Sequence, residues 1–167
     1  AIYDSEGTLW IGTSQEVVYY NLKTKKSDRI TYNSEPIRNA DAITQDGDNI
    51  LIAHDRGLTI YNLKTHKQQN VGAAQGLSNV SIRSIATTED YYWLATRINI
   101  ASVDKKTLNV RNYSSFNGYE VDEFHSNSSL QPIHGYILFG GDNGIICFQP
   151  KLISNRNDEV QKVYFNS

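Results

Sequence analysis

Trp10-Ile11-Gly12-Thr13, Leu51-Ile52-Ala53-His54, Trp93-Leu94-Ala95-Thr96 and Leu138-Phe139-Gly140-Gly141 are one four-residue unit written four times. Their starts lie 41, 42 and 45 residues apart, and ten residues after each start stands another bulky apolar residue: Tyr20, Tyr61, Val103 and Phe148. A period of this length marks units that bury their apolar faces against one another, not alone. Short apolar runs between turn signals make those units β-propeller blades. The expected architecture is all-β, four blades of mostly four antiparallel strands, with blades at about 1–35, 36–77, 78–118 and 119–150. Residues 151–167 form a tail whose apolar run 160–165 either completes the last blade or opens a further domain.

Within each period the strands can be placed in chain order as A to D. Asp4-Ser5-Glu6-Gly7 and Asp46-Gly47-Asp48-Asn49 sit before two of the repeated units, and Asp-Gly between apolar runs is a hairpin signal of type I′. Strand A then covers residues 1–3, 41–44, 81–86 and 121–124, and the repeated unit is strand B. Strand B is apolar on both faces, as suits a sheet covered on both sides. Its third position is Gly12, Ala53, Ala95 or Gly140, small every time, which predicts close approach of the next blade there. The B–C turns end in Glu16, Gly57, Asn99 and Gly144, and the last three suit left-handed backbone. Polar hairpins at 21–24, 62–65 and 104–107 lead into strand D. After Phe148-Gln149-Pro150 the pattern stops, so the fourth blade lacks a strand D of its own.

The 167 residues carry 16 basic against 18 acidic side chains and no basic stripe, which argues against nucleic acid as a partner. The longest apolar runs are far too short to cross a membrane, so no direct membrane insertion is expected of this segment. The chain starts with Ala1 inside a repeat and contains no Met, as a piece of a longer protein would. A single Cys147 in the run Ile145-Ile146-Cys147-Phe148 excludes an internal disulfide and reads as a buried, inert thiol.

The string Asp4…Gly7-x-Leu9-Trp10-Ile11-Gly12-Thr13 resembles the two-component regulator propeller repeat, and Gly57-Leu58-Thr59-Ile60-Tyr61 resembles its second half. Glu123-Phe124, Leu138-Phe139-Gly140-Gly141-Asp142-Asn143-Gly144 and Phe148-Gln149-Pro150 look like the closing blade of the extracytoplasmic sensor in Bacteroides-type hybrid two-component systems. That resemblance implies a periplasmic sensor with more blades than four, followed by an immunoglobulin-like sandwich, a membrane helix, a histidine kinase, a receiver and a DNA-binding domain. It implies carbohydrate, often an oligosaccharide, as the ligand. The parent would be a kinase, but this segment is expected to be no enzyme.

No catalytic set emerges from the residues themselves, and no cofactor or metal is expected. His54, His66, His125 and His134 stand at unrelated repeat positions and read as surface or turn residues. Asp46-x-Asp48-Asn49 lacks the closing acid of a calcium loop. Ligand candidates follow from geometry. The B–C turns and D–A links of a propeller share one face, where repeats can differ without harm to the core. Arg56 and Arg97 offer charged forks for carboxylate, sulfate or uronic-acid groups. Asp55, Asn99, Asp142, Asn143 and Tyr119 complete the candidate set, and Tyr91 and Tyr136 are further aromatics free to stack on a sugar ring. Two other functions stay open: an interaction scaffold without small ligand, and a propeller lyase or glycan hydrolase. Four blades also leave two apolar faces, to be covered by closure into a small ring, by a second copy or by remaining blades of the parent.

Overall fold

The computed structural model describes residues 1–113 and 122–153. Four antiparallel meander sheets follow one another along the chain. The first holds β1 (Ile2–Tyr3), β2 (Thr8–Gly12), β3 (Val17–Asn21), β4 (Lys26–Tyr32) and β5 (Glu35–Pro36). The second holds β6 (Ala42–Asp46), β7 (Asn49–His54), β8 (Gly57–Asn62) and β9 (Gln68–Val71). The third holds β10 (Ile82–Thr87), β11 (Tyr91–Thr96), β12 (Ile100–Asp104) and β13 (Val110–Tyr113). The fourth holds β14 (Phe124–Ile133), β15 (Tyr136–Gly141) and β16 (Gly144–Phe148), and a helical turn α1 (Pro150–Ile153) follows. Strand B keeps one register against strand C throughout: Trp10 faces Tyr19, Leu51 faces Ile60, Trp93 faces Ser102, and Leu138 faces Cys147. The fold is a β-propeller arc built from one repeated supersecondary unit.

The sheets stack with a fixed polarity. Trp10 and Val17 on the leading face of the first sheet pack on Ile43, Ile50 and Ile52 of the second. Leu51, Ala53 and Ile60 of the second pack on Ile85, Leu94 and Val103 of the third. Trp93, Ala95 and Ile100 of the third pack on Ile137, Phe139 and Phe148 of the fourth. Every interface therefore joins a leading face to a trailing one, and among the described residues no core cluster joins the first sheet to the fourth. The apolar-on-both-sides reading holds for β7 and β11, which are buried after their first residue; in β2 and β15 exposure alternates, because each has a blade on one side only. The same asymmetry corrects Cys147, which is partly exposed on the uncovered leading face while Ile146 and Phe148 point inward. Burial raises its thiol above the usual range.

The small third position of strand B does what its size suggests. A Cβ on Gly12 would stand 2.7 Å from the Ala40 Cβ and 3.1 Å from Ile43 Cδ1 of the next sheet. A Cβ on Gly140 would meet Ser128 of its own sheet, no closer than 3.4 Å. Gly12→Ala is therefore expected to destabilise the chain by about 1–3 kcal/mol, and Gly140→Ala by at most about 0.5 kcal/mol, in urea unfolding. Equal losses would mean that another blade lies over Gly140.

Three local expectations are corrected. The turn of the second sheet has positive φ at Gly47 (+57°) but not at Asp48, so it is a II′ turn and not I′. Asn99 is not left-handed, although Gly57 and Gly144 are. Strand A of the fourth sheet begins at Phe124, where the sequence reading ended it, and runs with bulges to Ile133; residue 121 and the run 160–165 lie outside the described residues.

Candidate ligand-binding face

The links and turns meet at one end of the arc, as the blade topology requires. Ala40 N–H donates to the Thr13 carbonyl (3.4 Å), and Phe124 N–H donates to the Arg97 carbonyl (3.0 Å). Asn99 Nδ2 donates to Ser78 Oγ (2.9 Å). The first and third contacts tie a D–A link to a B–C turn, and the second ties the start of a strand A to one.

The candidate residues fare differently there. Arg56 is spent on the fold: Nη1 donates to Glu35 Oε2 (3.0 Å), Nη2 donates to the Pro36 carbonyl (2.8 Å), and the guanidinium lies over the Tyr32 ring (4.9 Å). Asn99 accepts from Thr96 Oγ1 besides holding Ser78, which makes it a turn clasp. Asp142 pairs with His125, and Asn143 Nδ2 donates to Asp122 Oδ2 (2.7 Å). Arg97 is exposed, with Nε 3.7 Å from Glu123 Oε1. Asp55 Oδ2 accepts from Asn39 Nδ2 (3.2 Å), while its Oδ1 is buried without a hydrogen-bond partner. Tyr119 lies outside the described residues. Tyr91 and Tyr136 begin β11 and β15 and so sit at the opposite end of their blades, away from this face.

Sequence reasoning missed two groups. Arg83 on β10 reaches across the innermost strands: Nη1 pairs with Asp41 Oδ2 and Nη2 with Glu123 Oε1, both at 2.9 Å. Ser126 Oγ adds a bond to Asp41 Oδ1 (2.7 Å). Burial pulls the Arg83 guanidinium downward, but Asp41 and Glu123 outweigh it and hold the group above its ordinary value. One side chain thus ties the second, third and fourth blades at the mouth of the arc. The signal was an arginine inside an otherwise buried run, Ile82-Arg83-Ser84-Ile85. The second group is Arg38, an exposed residue for which no hydrogen bond or ion pair exists among the described residues. With Glu35, Pro36, Asp55 and Arg56 it lines an open cavity of about 520 Å³. This cavity offers a free cationic fork and two carboxylates, Asp55 and Glu35, that Asn39 and Arg56 already engage through one oxygen each.

The histidine reading also changes. His54 is not at the surface but fully buried beneath this cavity. Its Nδ1 accepts from the Arg56 backbone N–H (3.2 Å), which leaves the proton on Nε2, donating to Thr59 Oγ1 (3.1 Å); the Thr59 hydroxyl donates onward to Asn70 Oδ1 (2.9 Å). Burial pushes its pKa down to about 4, with Asp55 opposing and Arg56 assisting. His66 and His134 do occupy turns, and both have positive φ. Among the described residues no three His, Cys, Asp or Glu side chains cluster as metal ligands, and no helix is long and apolar enough to cross a membrane.

No protein-family model matches the chain. It is 27% identical over 172 residues to histidine kinase P4 of Formosa agariphila, a match covering 96% of this chain and 12% of that protein. The chain thus spans about an eighth of that relative. Among solved structures it resembles the extracellular domain assigned to a hybrid two-component system of B. thetaiotaomicron, with TM-score 0.79 and 24% identity over 92% of this chain and 22% of that one. A second extracellular domain from B. thetaiotaomicron, assigned to a one-component system, gives TM-score 0.71 at 16% identity over 99% of this chain and 22% of that one. The N-terminal domain of Nup159 shares the fold more distantly, with TM-score 0.55 at 14% identity over 98% of this chain and 42% of that one.

Proposed function

We propose that the chain is the ligand-sensing propeller segment of a periplasmic signalling receptor, a hybrid histidine kinase whose membrane and phosphotransfer parts lie in a longer polypeptide. The observation that carries this reading is the likeness to a histidine kinase along 96% of the chain. The resemblance to extracellular domains of B. thetaiotaomicron supports the compartment. The ligand is an oligosaccharide held at the B–C and D–A face. Arg38 and Arg97 supply donors, and Asp55 and Glu35 accept sugar hydroxyl protons. A uronate or sulfated sugar fits the free Arg38 fork best. Ligand binding changes packing between this arc and the blades or the second copy on its two apolar ends, and that change travels toward the membrane.

A thermal-shift series across neutral, uronate-containing and sulfated oligosaccharides tests this. Ligand at about 100 times its Kd adds about 2.7 kcal/mol of apparent stability, a rise of several degrees. Anionic sugars are expected to raise Tm, and Arg38→Ala to abolish the rise while leaving the unliganded Tm unchanged. A scaffold without small ligand gives no shift with any sugar, and a hydrolase or lyase releases product.

A further inference from the structure

Arg56 has four neighbours, and one of them is unlike the rest. Its Nη2 donates to the Pro36 carbonyl (2.8 Å), its guanidinium lies 4.9 Å over the Tyr32 ring, and its Nε stands 3.9 Å from Asp55 Oδ1. A backbone carbonyl, a strand aromatic and the adjoining residue are fixed partners. The fourth is Glu35, whose Oε2 accepts from Nη1 (3.0 Å) although its side chain is 75% exposed. Among the described residues the Glu35 carboxylate makes no other bond, and Nη1 has no other partner. A single exposed ion pair is favoured over its open form by a factor of about five at most. Glu35 can therefore leave while the guanidinium stays where its other neighbours hold it.

The chain brings Glu35 there by a device that the second blade lacks. β4 turns into β5 through Asn33 and Ser34, both at positive φ (+51° and +66°), as in a type I′ hairpin. The pairing sets Glu35 opposite Tyr32. One short hairpin thus supplies the ring under Arg56, the carbonyl at its Nη2 and the carboxylate at its Nη1. The corresponding link after β9 holds a single helical turn, Ala73–Gln75, and no added strand. Two residues beyond Pro36 stands Arg38, exposed, with no hydrogen bond or ion pair among the described residues. Arg38 and Arg56 line the same cavity of about 520 Å³. Two guanidinium groups face one space, and the only one engaged by an anion from the link is Arg56.

We propose that Arg56 and Arg38 form an oxyanion clamp and that Glu35 is its resting occupant, displaced when the carboxylate or sulfate group of a ligand arrives. This rests on the reading of the cavity as the ligand site and adds how that site opens. The incoming oxyanion takes Nη1 of Arg56 and the Arg38 fork together, whereas Glu35 holds Nη1 alone. A neutral hydroxyl does not make the exchange, because it gives up the charge assistance that the Glu35 carboxylate provided. Once displaced, Glu35 is free to accept a hydroxyl proton from the ligand. The clamp is competent only while Glu35 is away, so Glu35 lowers the apparent affinity by the factor that favours the closed pair. In return it turns away ligands that carry no anion.

The test titrates the full chain with inorganic sulfate, at ionic strength held constant with chloride, and follows the backbone amide NMR signals of Glu35, Arg38, Asp55 and Arg56. Sulfate is expected to move these signals. Glu35→Gln keeps the side-chain length and loses the charge, and is expected to tighten sulfate binding about fivefold. Arg38→Ala is expected to weaken binding at least about fivefold in both backgrounds. Glu16→Gln is the control: Glu16 is a partly exposed acid of the first B–C turn, paired with Arg29 (3.2 Å) away from this cavity, and its loss should leave the affinity unchanged. Equal affinities in wild type and Glu35→Gln, or an equal gain from Glu16→Gln, overturn the proposal. Tighter sulfate binding in Glu35→Gln with no response to any oligosaccharide keeps the clamp and removes the sugar. A uronate or sulfated sugar held equally by wild type and Glu35→Gln keeps the sugar and removes the clamp.

Discussion

Asp4→Ala is expected to cost about 2–4 kcal/mol and Trp10→Ala about 3–5 kcal/mol, with the double substitution falling short of their sum by about 1–2 kcal/mol. Asp4 is 3% exposed, and both its oxygens are committed: Oδ1 accepts from the backbone N–H of Glu6 (2.9 Å) and Thr8 (2.8 Å), Oδ2 from Trp10 Nε1 (2.7 Å). One carboxylate closes the A–B turn and fixes the indole of strand B at once. Alanine would leave three donors without an acceptor, two of them buried. Trp10 in turn packs on Tyr19 (4.9 Å between rings) and on Tyr61 of the next blade (5.4 Å), so its loss opens a cavity at the first interface. The coupling arises because the Oδ2–indole bond can be lost only once. Asp4→Asn should fall between, since its amide oxygen can keep the two backbone bonds while its NH₂ faces the indole N–H. Urea unfolding of the four chains measures the cycle; a loss under about 0.5 kcal/mol for Asp4→Ala would mean that this carboxylate is only a solvated turn residue.

That pairing shows which parts of the molecule could be read from the chain. The repeat was legible because a blade is held by positions that recur: Trp10, Leu51, Trp93 and Leu138 share one register, and in the first three blades the glycine or alanine two residues on faces the next sheet. Strand D of the second blade, at 68–71, follows the polar hairpin read at 62–65 for the same reason, since the Asn62 turn fixes where it starts. The site was not legible to the same degree. Arg56 looked like a free fork because its turn is polar, but its partners, Glu35 and Pro36, stand about twenty residues earlier on the preceding link. Arg38 was passed over because nothing local distinguishes a link arginine whose partners are absent. Arg83 could be valued only once three strands A were seen side by side, bringing Asp41 and Glu123 to either side of it. His54 followed a strand that was read correctly as buried, and its hydrophilicity alone sent it to the surface. Partner identity across the repeat period is the information a periodic reading discards.

His54 should make stability fall with acid. Its folded pKa of about 4 lies below the ordinary 6.5, so between those values the unfolded chain binds a proton that the folded one refuses. The contribution is fully present above pH 6.5 and is lost progressively toward pH 4, to a total of about 3 kcal/mol. Other groups titrate over this range, so the decisive quantity is the difference between the wild type and His54→Gln, which should flatten the curve between pH 6.5 and 4 while leaving the region above pH 7 parallel. Urea midpoints at half-unit intervals measure it, and NMR titration of the His54 ring gives its pKa directly; parallel curves, or a ring titrating near 6.5, would contradict the buried neutral imidazole. The consequence reaches the ligand face. Protonation places a second hydrogen on Nδ1, which now accepts the Arg56 backbone N–H, so the turn bearing Asp55 and Arg56 loses the bond that sets it. The cavity lined by those two residues and Arg38 then loses its shape before the blade unfolds. A sulfated oligosaccharide, which stays anionic in acid, should accordingly bind more weakly at about pH 3.5, below the folded pKa of His54, than at pH 7.5, and His54→Gln should remove part of that difference.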